Sequence, residues 1–284
     1  MKRALLTIIV LAFFAACERD FDELKDTDQR SVTFRIGLDG LFSNVLELSE
    51  GDFSMDIPVA LDARHRIRVN AFCYNEKGDL VNHRTFFTTL DEKLEVKFKH
   101  LHKTQQYQFV FLADVVEYYG DSDFFEVWYQ LKTKKLDDFY LKIIEGKERA
   151  IENIVCRAVV SAIPDNQEMD VDLSPITYNG YLSFVNTNGV ERVTGTVLSY
   201  RSLYVSSLQG IKRAYYPFEV MQNGGEIPPY LITASRPDTG FSIKIVRYLP
   251  DRKDSVSCNF QNTMCQPFVV TVDCQNLTTN CVYY

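Results

Sequence analysis

Glycine and proline are sparse, 13 and 9 of 284 residues, so no collagen-like or linker-like repeat makes up any large part of this chain. Basic residues are in deficit, 31 Lys and Arg against 38 Asp and Glu. They also sit among acidic ones, as at Lys93, Glu95, Lys97 and Lys99. Without a clustered positive footprint, nucleic acid is not a partner. The apolar run at residues 4–14 falls short of the ~20 residues that a membrane-spanning helix needs. Also missing are the Gly-x-Ser-x-Gly elbow of hydrolases, a phosphate-cradling glycine loop and the Cys-x-x-Cys knuckle of structural zinc. These gaps point away from an enzyme, and no cofactor or metal is expected.

What is plentiful is aromatic: 20 Phe and 16 Tyr beside a single Trp. Such residues pack well on pleated, half-buried surfaces, so the composition leans to an all-β fold.

The N-terminus reads as an export leader over residues 1–16. It has basic Lys2 and Arg3, an apolar stretch, then small Ala15 and Ala16 before Cys17. The sequence Phe14-Ala15-Ala16-Cys17 resembles a bacterial lipobox, which implies acylation of Cys17 with palmitate-type chains and anchoring in the outer membrane without a spanning helix. An ordinary secretory cut is the alternative. Residues 17–30 are charged and too poor in apolar side chains to fold alone, so they read as an acidic stalk. An acidic cluster directly after the lipid-bearing cysteine resembles the surface-export signal of lipoproteins in gut and oral anaerobes, implying exposure at the cell surface.

From Ser31 the pattern changes to period-two alternation. Val32, Phe34 and Ile36 face one way, and Ile67, Val69, Ala71 and Cys73 do so again before the turn-forming Asn75-Glu76-Lys77-Gly78-Asp79. The run from Tyr107 to Val116 is apolar at nearly every position, as suits a central strand buried on both faces. Residues 136–151 are ambiguous between a short helix and an excursion between domains. Beyond them a series of short strands broken by turn signals indicates a sandwich. The expected division is a first β-sandwich at 31–152 and a second at 153–284, with no internal repeat strong enough to recognise.

If Cys17 is lipidated, six cysteines remain. Cys258, Cys265, Cys274 and Cys281 cluster at the C-terminus and are candidates for disulfides in an oxidising compartment, with three connectivities open. Cys73 and Cys156 lie on apolar strand faces and read as buried small hydrophobes. His100 and His102 are spaced to share a strand face, but Lys99 and Lys103 beside them repel a cation. Tyr118-Tyr119, Trp128-Tyr129, Tyr215-Tyr216 and Tyr283-Tyr284 are candidate sugar-stacking platforms, although most aromatics in a β-protein serve packing.

Three segments in order carry a family resemblance: residues 67–81, running from Ile67-Arg68-Val69 through the acidic glycine turn to Leu80-Val81, then 96–101, then Tyr107-Gln108-Phe109-Val110-Phe111-Leu112-Ala113. They resemble the first domain of fimbrillin-type pilus proteins, and Cys156-Arg157-Ala158-Val159-Val160 is similar to the strand that opens that family's second domain. The resemblance implies two tandem transthyretin-like β-sandwiches. It implies a structural role in a surface fimbria that mediates adhesion, assembled by strand exchange with other fimbrial subunits. Host or glycan ligands are further candidate partners. Stalk subunits of the family are processed after an arginine, and Arg30, where the acidic stalk meets the first strand, is the exposed candidate here, the alternative being that it simply flanks the strand. The assignment among anchor, stalk and tip stays open. The rival reading is a glycan-binding surface lipoprotein serving nutrient uptake.

Overall fold

A computed structural model describes residues 28–38, 65–89, 93–117, 129–143, 155–227, 230–235, 241–261 and 268–283. The leader, Cys17, most of the stalk and Cys265 lie outside these residues. The described residues form an all-β protein of four sheets, arranged as two sandwiches.

The first sandwich packs a three-stranded sheet on a five-stranded one. In the smaller, β1 (Gln29–Gly37) lies between β4 (Leu94–His102), to which it is antiparallel, and β9 (Gln167–Asp172), to which it is parallel. The larger has the order β10-β8-β5-β2-β3, built from β2 (His65–Tyr74), β3 (Leu80–Thr88), β5 (Tyr107–Glu117), β8 (Val155–Ala162) and the two-residue β10 (Ser174–Pro175). Alternation in β1 buries Val32, Phe34 and Ile36 against Ile67, Val69, Ala71 and Cys73 of β2 and Phe109 and Phe111 of β5. Phe34 is the hub, with ring centroids 4.7 Å from Phe109 and 5.0 Å from Phe111. As the apolar run predicts, β5 is central and paired on both sides. The β2–β3 turn is closed by Gly78 at φ 70, where a left-handed backbone favours glycine, with its N–H on the Asn75 carbonyl at 2.8 Å.

The second sandwich pairs the sheet β14-β11-β17-β18 with a larger one. The first comprises β11 (Thr177–Val185), β14 (Tyr230–Ser235), β17 (Phe268–Asp273) and β18 (Thr278–Tyr283). The second centres on the long β12 (Arg192–Tyr204), flanked on one side by β13 (Gly210–Met221). On its other side the N-terminal half of β12 pairs with β15 (Phe241–Tyr248), which pairs with β16 (Lys253–Phe260). The C-terminal half pairs with β7 (Tyr140–Ile143), which pairs with β6 (Tyr129–Lys132). Val193, Val197, Phe218, Ile243 and Ile245 meet Leu182, Phe268, Val270 and Val272 in the core.

The division at residue 153 is not the one the sheets make. Strands β8, β9 and β10 complete the first sandwich, so the chain passes to the second at 176–177, while β6 and β7 leave the first half of the sequence to join the second sandwich. Local alternation says that a segment is a strand; which distant edge it joins is decided by non-local pairing, and so the expected boundary was displaced. The ambiguous 136–151 segment is an excursion where it is described: residues 140–143 are strand. The two sandwiches share a design. In each the opening strand, β1 or β11, lies between an antiparallel partner and a parallel one that is next to last in its half, β9 or β17. The sequence shows no repeat, so the likeness resides in topology.

Candidate functional site: the sandwich junction and the free edges

The outer face of the β2–β5 sheet is where the two sandwiches meet. Phe72, Tyr74, Val110 and Leu112 on that face pack against Tyr129, Leu136, Phe139 and Leu141 of the excursion and Leu203 and Val205 at the end of β12. The loop between β6 and β7 is tied to the β2–β3 turn by backbone bonds. The Leu136 N–H donates to the Gly78 carbonyl at 2.9 Å and the Leu80 N–H to the Lys134 carbonyl at 3.2 Å. The Tyr74 hydroxyl donates to the Thr133 carbonyl at 2.8 Å, and Lys135 is paired with Asp79 at 2.5 Å. Arg157 of β8 donates to the Ser206 carbonyl at 2.6 Å. The 129–143 hairpin thus belongs to one sandwich by pairing and grips the other by its loop.

Within this junction lies a buried ion pair. Arg68 and Asp114 are directly opposite on β2 and β5, with Arg68 Nε 3.0 Å from Asp114 Oδ1. The Tyr129 ring lies under the guanidinium, 5.3 Å from Cζ to centroid. Burial pushes the Asp114 carboxyl up from the ordinary range against the pull of the Arg68 guanidinium, and burial raises the Tyr129 phenol. Both side chains are held almost entirely out of solvent, and the bridge links β2 to β5 beneath the excursion. Its polar character was visible in sequence, but that the far face of β2 is covered was not.

The other candidate surfaces are strand edges. Among the described residues β13 pairs with β12 on one side only, along twelve residues, and carries exposed Ile211, Tyr215 and Met221. The β3 edge carries exposed Val81 and Phe87. Unpaired N–H and C=O groups beside apolar side chains are what an added strand satisfies.

Arg30 lies inside β1, its backbone paired with Leu101, and not at the end of a free stalk. The histidine pair is split by a bulge in β4: His100 has φ 60 and its Nδ1 is 2.6 Å from Gln29 Oε1, whereas His102 Nδ1 is 2.9 Å from Thr104 Oγ1. No group of three His, Cys, Asp or Glu side chains suited to a metal occurs among the described residues. Cys73 and Cys156 are fully buried, and burial pushes the Cys73 thiol up to about 12. Cys274 is buried with its thiol pushed up to about 11, while Cys258 of β16 and Cys281 of β18 are half-buried. Of the four aromatic pairs, Tyr129 is buried and Tyr215 is 73% exposed. The remaining members lie outside the residues whose side chains are described. Tyr215 and Phe87 sit on different sandwiches, so they do not form one platform.

No family model matches the sequence, and no curated protein sequence matches it. Solved structures do match. A proposed polysaccharide-binding protein of Bacteroides thetaiotaomicron is similar at TM-score 0.55 and 13% identity, over 90% of this chain and 95% of that one. A proposed adhesin of the same organism is similar at TM-score 0.56 and 10% identity, with the same coverage. The fimbrial anchor protein Mfa2 of Porphyromonas gingivalis is similar at TM-score 0.53 and 14% identity, over 89% of this chain and 95% of that one. The fold implied by the fimbrillin-type resemblance is therefore the fold found: across both sandwiches, this chain shares its architecture with a fimbrial anchor and with proteins proposed as adhesins.

Proposed function

We propose that this protein is a surface-anchored structural subunit of a fimbria-like adhesive polymer, held in the outer membrane by acyl chains on Cys17 and joined to its neighbours by exchange of β-strands. The observation that carries this reading is the likeness to the fimbrial anchor Mfa2, which extends over both sandwiches and not over a single common module. The free edges supply the physical means: a neighbour's strand added along β13 or β3 would pair the open backbone and cover the exposed side chains there. Its partners are other subunits of the polymer, and its work involves no turnover of a substrate.

The test is to express the protein with its genomic neighbours and examine the cell surface by immunogold labelling. Label at the base or along a surface polymer is expected, and Cys17→Ala should remove both the label and metabolic acyl labelling. Absence of polymer association together with micromolar binding to a defined glycan would overturn the proposal in favour of a nutrient-binding lipoprotein.

A further inference from the structure

We infer that Cys258 and Cys281 form a disulfide that staples the two sheets of the second sandwich together along one side. β16 and β18 are the edge strands of the opposed sheets. They meet there: Cys258 Sγ lies 2.8 Å from Thr279 Oγ1, on the inner side of both strands. Thr279 and Cys281 are successive half-buried positions of β18, alternating with exposed Thr278, Asn280 and Val282. Cys281 packs on the same core cluster as Val256 and Phe260, the residues that flank Cys258 on its own face. The two sulfurs are not bonded in the structure, so closing the bond asks for a local shift of the two edges, each held by a ladder on one side only, until the Cβ atoms reach the ~4 Å of a disulfide.

The other described cysteines are excluded by position. Cys73 and Cys156 lie on β2 and β8 with β5 between them. Cys274 is buried, its Sγ directed to the Val272 carbonyl and its own carbonyl held by Arg247. In the reaction both thiols lose a proton, one S–S bond forms, and two electrons pass to a disulfide oxidant of the exporting compartment, which leaves as a dithiol. On the fimbrial reading the staple closes the β16–β18 side, so a partner strand enters at the β13 side.

The experiment is peptide mapping of the full chain isolated under non-reducing conditions after thiol alkylation, with oxidised glutathione as oxidant for protein made in a reducing cytoplasm. No Lys or Arg follows Lys253, so trypsin leaves all four C-terminal cysteines in one peptide. Cleavage by chymotrypsin after Phe260, Phe268 and Leu277 separates them. A peptide ending at Phe260 linked to one beginning at Thr278 is expected. Reduction should lower Tm by about 5–10 °C. Cys258→Ser and Cys281→Ser should each abolish that dependence on reductant without adding to one another, while Cys274→Ala retains it. A link to Cys265 or Cys274, or full alkylation of Cys258 and Cys281 in oxidised protein, overturns the assignment. Neither result bears on whether the protein joins a polymer, which the immunogold experiment reads separately.

Discussion

Removing one member of the Arg68–Asp114 pair should destabilise the protein far more than removing both. The side chains are 10% and 0% exposed, and Asp114 is reached by two guanidinium nitrogens, with Nη2 2.5 Å from Oδ2. At such separations an effective dielectric constant near 20 gives roughly 4 kcal/mol of attraction. That attraction offsets the cost of holding two charges out of water. Asp114→Ala leaves the guanidinium stranded against Tyr129, and Arg68→Ala leaves the carboxylate without its cation. Each should cost about 3–5 kcal/mol. The double variant Arg68→Met with Asp114→Leu removes both desolvation penalties and refills the volume, so its cost should fall to about 1 kcal/mol or less. The assay is urea unfolding followed by far-ultraviolet circular dichroism and by fluorescence of the single tryptophan, Trp128, next to Tyr129 in the sequence. Two probes are needed because two sandwiches need not unfold together. Single variants costing under 1 kcal/mol, or a double variant costing the sum of the singles, would refute the reasoning.

Gly195→Ala should destabilise the second sandwich by more than Gly180→Ala. A Cβ at 195 would lie 2.3 Å from the Phe218 ring and 2.5 Å from the Lys244 carbonyl oxygen, which is backbone and cannot swing away. At 180 the three nearest atoms all belong to the Phe268 ring, the closest at 2.0 Å, so Phe268→Leu should rescue Gly180→Ala but has no counterpart for Gly195. Overpacking of this kind costs about 1–3 kcal/mol, read by thermal unfolding. Arg247→Met should cost about 2–3 kcal/mol, because Arg247 binds Asp254 at 2.9 Å and donates to the carbonyls of Cys274 and Gln275, joining the two sheets at one end. His83 stacks on Phe72 at 4.3 Å and burial depresses its pKa below the ordinary 6.5. Its contribution is therefore full above pH 6.5 and lost as pH falls through the depressed value, so His83→Gln should flatten the decline of stability on the acid side.

Much of the first sandwich was legible in the sequence because its strands announce both faces. β1 alternates cleanly, β4 does so up to its bulge at His100, and β5 is apolar at nearly every position because it is paired on both sides and covered on both faces. The second was less so. β13 reads Gly-Ile-Lys-Arg-Ala-Tyr-Tyr-Pro-Phe-Glu-Val-Met, and Pro217 inside it argues against a central strand; it is tolerated because β13 is an edge. β18, Thr-Thr-Asn-Cys-Val-Tyr, shows little apolar alternation for the same reason. The junction was hidden more deeply. Arg68 and Asn70 on β2 look like a solvated face, and only the arrival of Tyr129 and the 133–136 loop, sixty residues or so later in the chain, covers it. Topology of that kind is a long-range property that no local window contains.

The two processing readings of the N-terminus exclude one another for an anchor. Cys17 and Arg30 both precede residue 31 in the sequence, so cleavage after Arg30 would leave the acyl chains on a short peptide and release residues 31–284. Arg30 is also a poor substrate as it stands: it is within β1, paired with Leu101, and a protease must pull an extended segment free of its sheet before cutting it. Freeing β1 further would withdraw Val32, Phe34 and Ile36 from the core, where Phe34 touches three other phenylalanine rings. At about 1.5–3 kcal/mol for each large apolar side chain exposed, loss of the strand approaches the whole stability of an ordinary domain. On the proposed anchor role the mature protein therefore keeps its acylated N-terminus, and β1 stays in place as the central strand of its sheet. Intact-mass analysis of protein extracted from membranes should show the diacylated or triacylated chain beginning at Cys17, unchanged by Arg30→Ala. A dominant species beginning at Ser31, abolished by Arg30→Ala, would refute retention of the strand and make this chain a released subunit in place of an anchor.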